Sequence, residues 1–123
     1  MDDLYAENIL EHYKNPQNKG ILKNPDIVVN ESNPLCGDVV SVYLKFKEGR
    51  IFDINFMGSG CAISQASASI LTEFVKGKPL NEVEGLGEED VVRLLNIPIG
   101  PVRMKCATLA LEAIKKGVYE YGK

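Results

Sequence analysis

Apolar and polar positions alternate with a period of two through the middle of the chain. Val40, Val42, Leu44 and Phe46 alternate with Ser41, Tyr43, Lys45 and Lys47. Beyond Glu48-Gly49, Phe52, Ile54 and Phe56 alternate with Asp53, Asn55 and Met57. Two such runs about a glycine-containing turn predict an antiparallel hairpin. Ile27-Val28-Val29 supplies a third strand, since an isolated hairpin is only marginally stable. From Cys61 the period becomes helical: Ile63, Ala66, Ile70 and Phe74 share one face, and Gly77 then Pro79 end the helix. Gly87-Glu88-Glu89-Asp90 is an acidic helix start, with Val91, Leu94 and Leu95 buried. Pro101 opens a last helix with Val102, Cys106, Leu109, Ala110 and Ala113 on its apolar stripe.

At the other end of the chain, Asp2-Asp3 caps a first helix of about a dozen residues, stopped by Asn15-Pro16, with Tyr5, Ile9 and Tyr13 on one stripe. The stretch from Asn15 to Pro25 reads as loop. Strands early and helices late predict an α+β fold: a three-stranded antiparallel sheet packed by helices. The 123 residues suffice for one domain, 1–123, with a single core.

Composition narrows the function classes. Apolar residues make up 45% and charged residues 25%, the balance of a soluble globular protein. The net charge is −3 and the lysines are dispersed, so no nucleic acid partner is expected, because neutralising phosphates needs a basic face. No apolar run approaches the roughly 20 residues of a membrane span, so no membrane partner is expected. The acidic start Met1-Asp2-Asp3 lacks the basic, apolar pattern of a signal peptide. These features place the protein in the reducing cytoplasm, where an odd number of cysteines, three, argues against a disulfide framework. His12, the only histidine, falls on the first helix and reads as a surface residue.

The three cysteines occupy telling positions. Cys36 lies in Asn33-Pro34-Leu35-Cys36-Gly37-Asp38, a tight loop before a strand. Cys61 follows Gly58-Ser59-Gly60 at a helix start, and Cys106 falls in the second turn of the last helix. A cysteine at a helix N-terminus meets unpaired backbone N–H groups and the positive end of the dipole, which favours the thiolate. Gly58 and Gly60 let the backbone approach closely, and Lys105 puts a positive charge beside Cys106. Taken singly, each cysteine also reads as a small buried hydrophobe, and no pair shows zinc-ribbon spacing.

Resemblance decides between these readings. Leu35-Cys36-Gly37-Asp38, Gly58-Ser59-Gly60-Cys61-Ala62-Ile63-Ser64-Gln65-Ala66-Ser67 and Pro101-Val102-Arg103-Met104-Lys105-Cys106-Ala107-Thr108-Leu109-Ala110 resemble the three signature segments of the IscU/NifU-N/SufU family. The similarity runs over essentially the whole chain. It implies an IscU/SufE-like fold in which Cys36, Asp38, Cys61 and Cys106 converge on a metal site. It implies, too, a scaffold that assembles a labile 2Fe–2S cluster from iron and from sulfur supplied by a cysteine desulfurase, then transfers it to apo-iron–sulfur acceptor proteins. Many IscU members carry His directly before the third cysteine. Here that residue is Lys105, which when protonated cannot ligate, so Asp38 is the natural fourth ligand, with Lys105 free to pair with it when no metal is bound.

Two matters stay open at this level. The SufU branch implies a zinc-dependent sulfurtransferase using the same four residues tetrahedrally, although the short span between Cys61 and Cys106 leaves little room for the insertion typical of that branch. A structural zinc domain acting as an interaction module is the reading from a different class. Cys106, next to Lys105, is favoured as the persulfide acceptor over Cys36. Whether a cluster is held within one chain or between two in a homodimer, the sequence leaves undecided.

Overall fold

The computed structural model describes residues 3–34 and 37–122, with the side chains of 3–6 excepted. In chain order the elements are α1 (Asp3–Lys14), β1 (Ile27–Asn33), β2 (Asp38–Lys47), β3 (Arg50–Ser59), α2 (Ala62–Val75), α3 (Leu80–Glu84), α4 (Glu88–Leu95) and α5 (Pro101–Tyr121). The strands form one antiparallel sheet in the order β1-β2-β3. One face, with Val29, Val40, Val42, Leu44, Ile54 and Phe56, is buried under α2 and α5. The other carries Val28, Val39 and Met57 exposed. The expected α+β architecture is therefore present.

The β2–β3 hairpin turns at Glu48 and Gly49, whose φ values of 54° and 72° give the left-handed pair that suits a two-residue hairpin. Its register departs from strict alternation. Lys45 faces Asp53 but Phe46 faces Ile51, so Phe52 is an extra residue on β3. Such a bulge reverses the phase of every side chain beyond it. Ile51, at 0% exposure, takes the core position, and Phe52, which the alternation grouped with Ile54 and Phe56, is 55% exposed beneath the Lys47 ammonium. The loop after α1 also pairs with β3: Phe56 N–H donates to Asn18 O and Gly20 N–H to Phe56 O, covering that edge of the sheet.

Helix α2 is the centre of the molecule. The periodicity predicted one apolar stripe, yet every residue from Ser64 to Thr72 is buried, with α1, α4, α5 and β3 packed around it. Small side chains make that approach possible, and their hydroxyls are satisfied: Thr72 donates to Ala68 O, and Ser67 donates to Ala107 O on α5. Ile63 and Phe74, assigned to the stripe, are only partly buried at its ends. His12 is not a free surface residue. It is half-buried, with Nδ1 2.8 Å from Ser69 Oγ, which also accepts the Gln17 N–H. These bonds tie α1 and its following loop to α2.

The C-terminal helices follow their start and stop signals. Asp90 accepts the Gly87 N–H at the entry to α4, and Asn96 in the left-handed conformation closes it. Val91 and Leu95 are buried and Leu94 partly so. In α5 the residues Cys106, Leu109, Ala110 and Ala113 are buried as expected, but Val102 is 78% exposed because the first turn stands clear of the core. Helix α3, five residues long, is too short for a periodic signal. No helix among the described residues is long and apolar enough to cross a membrane.

Candidate metal centre

Three segments meet where the sheet ends against α2 and α5. The first is the β1–β2 connection. Asn33 and Asp38 are cross-strand partners, and Gly37, at φ 73°, donates its N–H to Asn33 O at 2.8 Å. That bond closes the tight loop the Pro and Gly residues imply. Cys36 and Leu35 lie outside the described residues. Asp38, the first residue of β2, points inward at 0% exposure.

The second segment is the β3–α2 junction. Cys61 is the N-cap of α2: its backbone is extended and its sulfur accepts the Ser64 N–H at 3.5 Å. The cysteine thus sits at the unpaired N–H groups of a 14-residue helix, as its position in the sequence implies. Its own N–H donates to Asp38 Oδ1 at 3.0 Å. Gly60 makes this possible. With φ 151° it is in a conformation that suits glycine, and a Cβ there would overlap Asp38 Oδ1 and stand 2.9 Å from the carboxylate carbon. Gly58 is required for a similar reason, since a Cβ there would meet the backbone of Val39 and Val40.

The third segment is the second turn of α5, which delivers Cys106 at 1% exposure. One ligand atom each from Asp38, Cys61 and Cys106 lies within 4.8 Å of the others. Donors around a single tetrahedral ion stand roughly 3.5 Å apart, so the three stand near the spacing that one ion requires. The second carboxylate oxygen, Asp38 Oδ2, is buried with no hydrogen-bond partner among the described residues. An orphaned buried carboxylate oxygen is costly unless something cationic completes it. Two soft sulfurs and one hard oxygen suit zinc or the iron of an iron–sulfur cluster.

One expectation changes at this site. Lys105 does not pair with Asp38. It is exposed on α5 and lines a groove of about 420 Å³ together with Glu31, Asn33, Glu88 and Glu112, while Asp38 faces inward toward Cys61. Cys106, favoured as the persulfide acceptor for its neighbour Lys105, is buried, whereas Cys61 is half-exposed. The helical stripe that carries Cys106 into the site also carries it into the core. Sequence reasoning passed over Asn33, whose carboxamide Nδ2 donates to Cys106 Sγ at 3.9 Å. An Asn before Pro reads simply as a turn former, and only its pairing opposite Asp38 marks it out.

Residues 4–123 match the family model described as the NifU-like N-terminal domain. The chain is 39% identical to the "Zinc-dependent sulfurtransferase SufU" of Bacillus subtilis, over 96% of this chain and 91% of that one. It is also 39% identical to the "Iron-sulfur cluster assembly scaffold protein IscU" of Escherichia coli strain K12, over 95% and 93%. The crystal structure of a nitrogen-fixing NifU-like protein (N-terminal) from Brucella abortus superposes with a TM-score of 0.82 at 27% identity, covering 98% and 96% of the two chains. With a three-stranded sheet, a glycine-cradled carboxylate and two cysteines converging on it, the chain belongs to the family of NifU-like N-terminal domains.

Proposed function

We propose that this protein is a scaffold on which a 2Fe–2S cluster is assembled from iron and from sulfur supplied by a cysteine desulfurase, then passed to apo-iron–sulfur proteins. The whole chain acts as one unit in the reducing cytoplasm, where its thiols stay reduced. The observation that carries this reading is the convergence of Asp38, Cys61 and Cys106 about an unpaired carboxylate oxygen. Cys36, two residues before Asp38, is the fourth member of the proposed ligand set. Clusters that stay in place are usually held by four thiolates. A hard carboxylate in place of one weakens the hold on iron and suits a cargo that must leave. The burial of Asp38 and Cys106 keeps water from the cargo, and the half-exposed Cys61 side gives a way in.

A second reading, a zinc-dependent sulfurtransferase, is favoured by the likeness to the Bacillus subtilis protein. That alignment runs over 135 positions, against 121 with the Escherichia coli protein, so the Bacillus relative carries residues that this shorter chain lacks. The alignment with fewer gaps in this chain, that with the Escherichia coli protein, supports the scaffold.

Anaerobic incubation with a desulfurase, cysteine, ferrous iron and a dithiol reductant, which supplies the electrons that take persulfide sulfur to sulfide, distinguishes the two. The scaffold gives visible charge-transfer absorption, iron and sulfide in equal amounts, and transfer to apo-ferredoxin. Colourless protein that keeps one zinc and passes persulfide sulfur onward would establish the other. For sulfur entry, Cys106 as first acceptor requires the α5 end of the site to open. Mass spectrometry after desulfurase treatment is expected to find persulfide there, and persulfide confined to Cys36 or Cys61 overturns that assignment.

A further inference from the structure

We propose that Asn33 is a positioning residue for the cargo: its carboxamide N–H holds the Cys106 sulfur and sets the strength of the bond that sulfur makes. The inference rests on the metal-centre reading above and concerns a residue outside the ligand set.

Asn33 ends β1 directly opposite Asp38, so the residue facing the candidate carboxylate ligand across the sheet is itself polar and buried, at 6% exposure. Its two polar functions do separate things. The backbone carbonyl accepts the Gly37 N–H next to the start of β2. The side-chain Nδ2 donates to Cys106 Sγ at 3.9 Å, toward the long end of what a sulfur acceptor allows. Between them these contacts tie β1, the β1–β2 loop and α5 to one another at the site.

The chemistry suits a neutral donor. Asp38 and the cysteines bring negative charge to a place from which water is largely excluded. An amide N–H toward sulfur stabilises that charge without adding a formal charge of its own, and neither Lys105 nor an apolar side chain does this from the strand. Donors around a ligating group orient it and tune the metal, and hydrogen bonds to sulfur help set cluster properties. A carboxamide that merely filled the turn would have no need to reach the sulfur on α5, which comes from 73 residues further along the chain.

The probe is Co²⁺, which takes zinc-type sites and reports each thiolate through near-ultraviolet charge-transfer bands. The variant is Asn33→Leu, of similar size and without a donor, with folding checked by circular dichroism. Loss of the N–H raises the energy of the sulfur lone pairs, so the band is expected to move to longer wavelength. The Co²⁺ affinity is expected to fall about tenfold or more. If Asn33→Leu does not fold, the smaller Asn33→Ala gives the same comparison. A folded variant with the wild-type band position and a Kd within twofold overturns the inference. That result differs from failure of the underlying reading, in which wild-type protein itself shows no thiolate–Co²⁺ band.

Discussion

Replacing Asp38 by Asn keeps the shape of the side chain and removes a buried charge. In the metal-free protein the carboxylate is fully buried, and its only compensation among the described residues is the Cys61 N–H on Oδ1. A charge-assisted bond of that kind contributes about 1.5–3 kcal/mol. The effective cost of desolvating a carboxylate is several kcal/mol, and Oδ2 recovers none of it. The carboxamide introduced by Asp38→Asn would keep an oxygen for the Cys61 N–H, at roughly half the strength, while avoiding the charge. The metal-free variant is therefore expected to be more stable than wild type by about 1–3 kcal/mol, or roughly 4–12 °C in Tm for a domain of this size. Metal reverses the order. Zinc at 100 times its Kd stabilises the wild type by about 2.7 kcal/mol, and a neutral carboxamide gains little of that. Urea denaturation of both proteins in EDTA and in zinc, read by circular dichroism, gives four midpoints whose order should cross. A metal-free variant no more stable than wild type, or one that gains as much from zinc, would refute the account of Asp38 as a carboxylate held ready for a cation.

Three further outcomes follow from particular residues. Gly60→Ala forces a Cβ into the Asp38 carboxylate from an unfavourable backbone conformation. It should cost about 1–3 kcal/mol by thermal denaturation and weaken zinc binding in calorimetry. The bulge predicts opposite results at neighbouring positions: Ile51→Ala should cost about 2–5 kcal/mol, and Phe52→Ser less than about 1 kcal/mol, by urea midpoint. At Asp90, the hydrogen bond from the Gly87 N–H, with Arg93 alongside, holds the carboxyl below its ordinary value of 3.8. Its contribution to stability is thus present above that value and fades as the pH falls through the lowered one. The urea midpoints of wild type and Asp90→Asn should converge on acidification, and a gap constant down to about pH 2.5 would contradict this.

The sequence by itself determined most of the elements and the chemistry on offer. Period two at Val40–Phe46, the Glu48-Gly49 turn, the acidic entry to α4 and Pro101 at the start of α5 are local signals, and each describes a segment facing one neighbour. The motifs around Cys36, Cys61 and Cys106 named the candidate ligands and the family for the same reason: side chains close in sequence share a turn or a loop.

What only the tertiary structure decided involves several partners at once. Helix α2 is enclosed on all sides, so its stripe understated its burial. The bulge at Phe52 is set by pairing with β2 and leaves no mark in the alternation. Val102 continues the stripe of α5 beyond the point where there is a core to meet it. At the site, Asp38, Cys61 and Cys106 are brought together by three unrelated segments, and packing rather than spacing placed Cys106 out of reach and Lys105 on the groove. Asn33 is the clearest case. Its sequence neighbours make it a turn residue, and only the closing of β1 and α5 over one sulfur gives its amide something to hold.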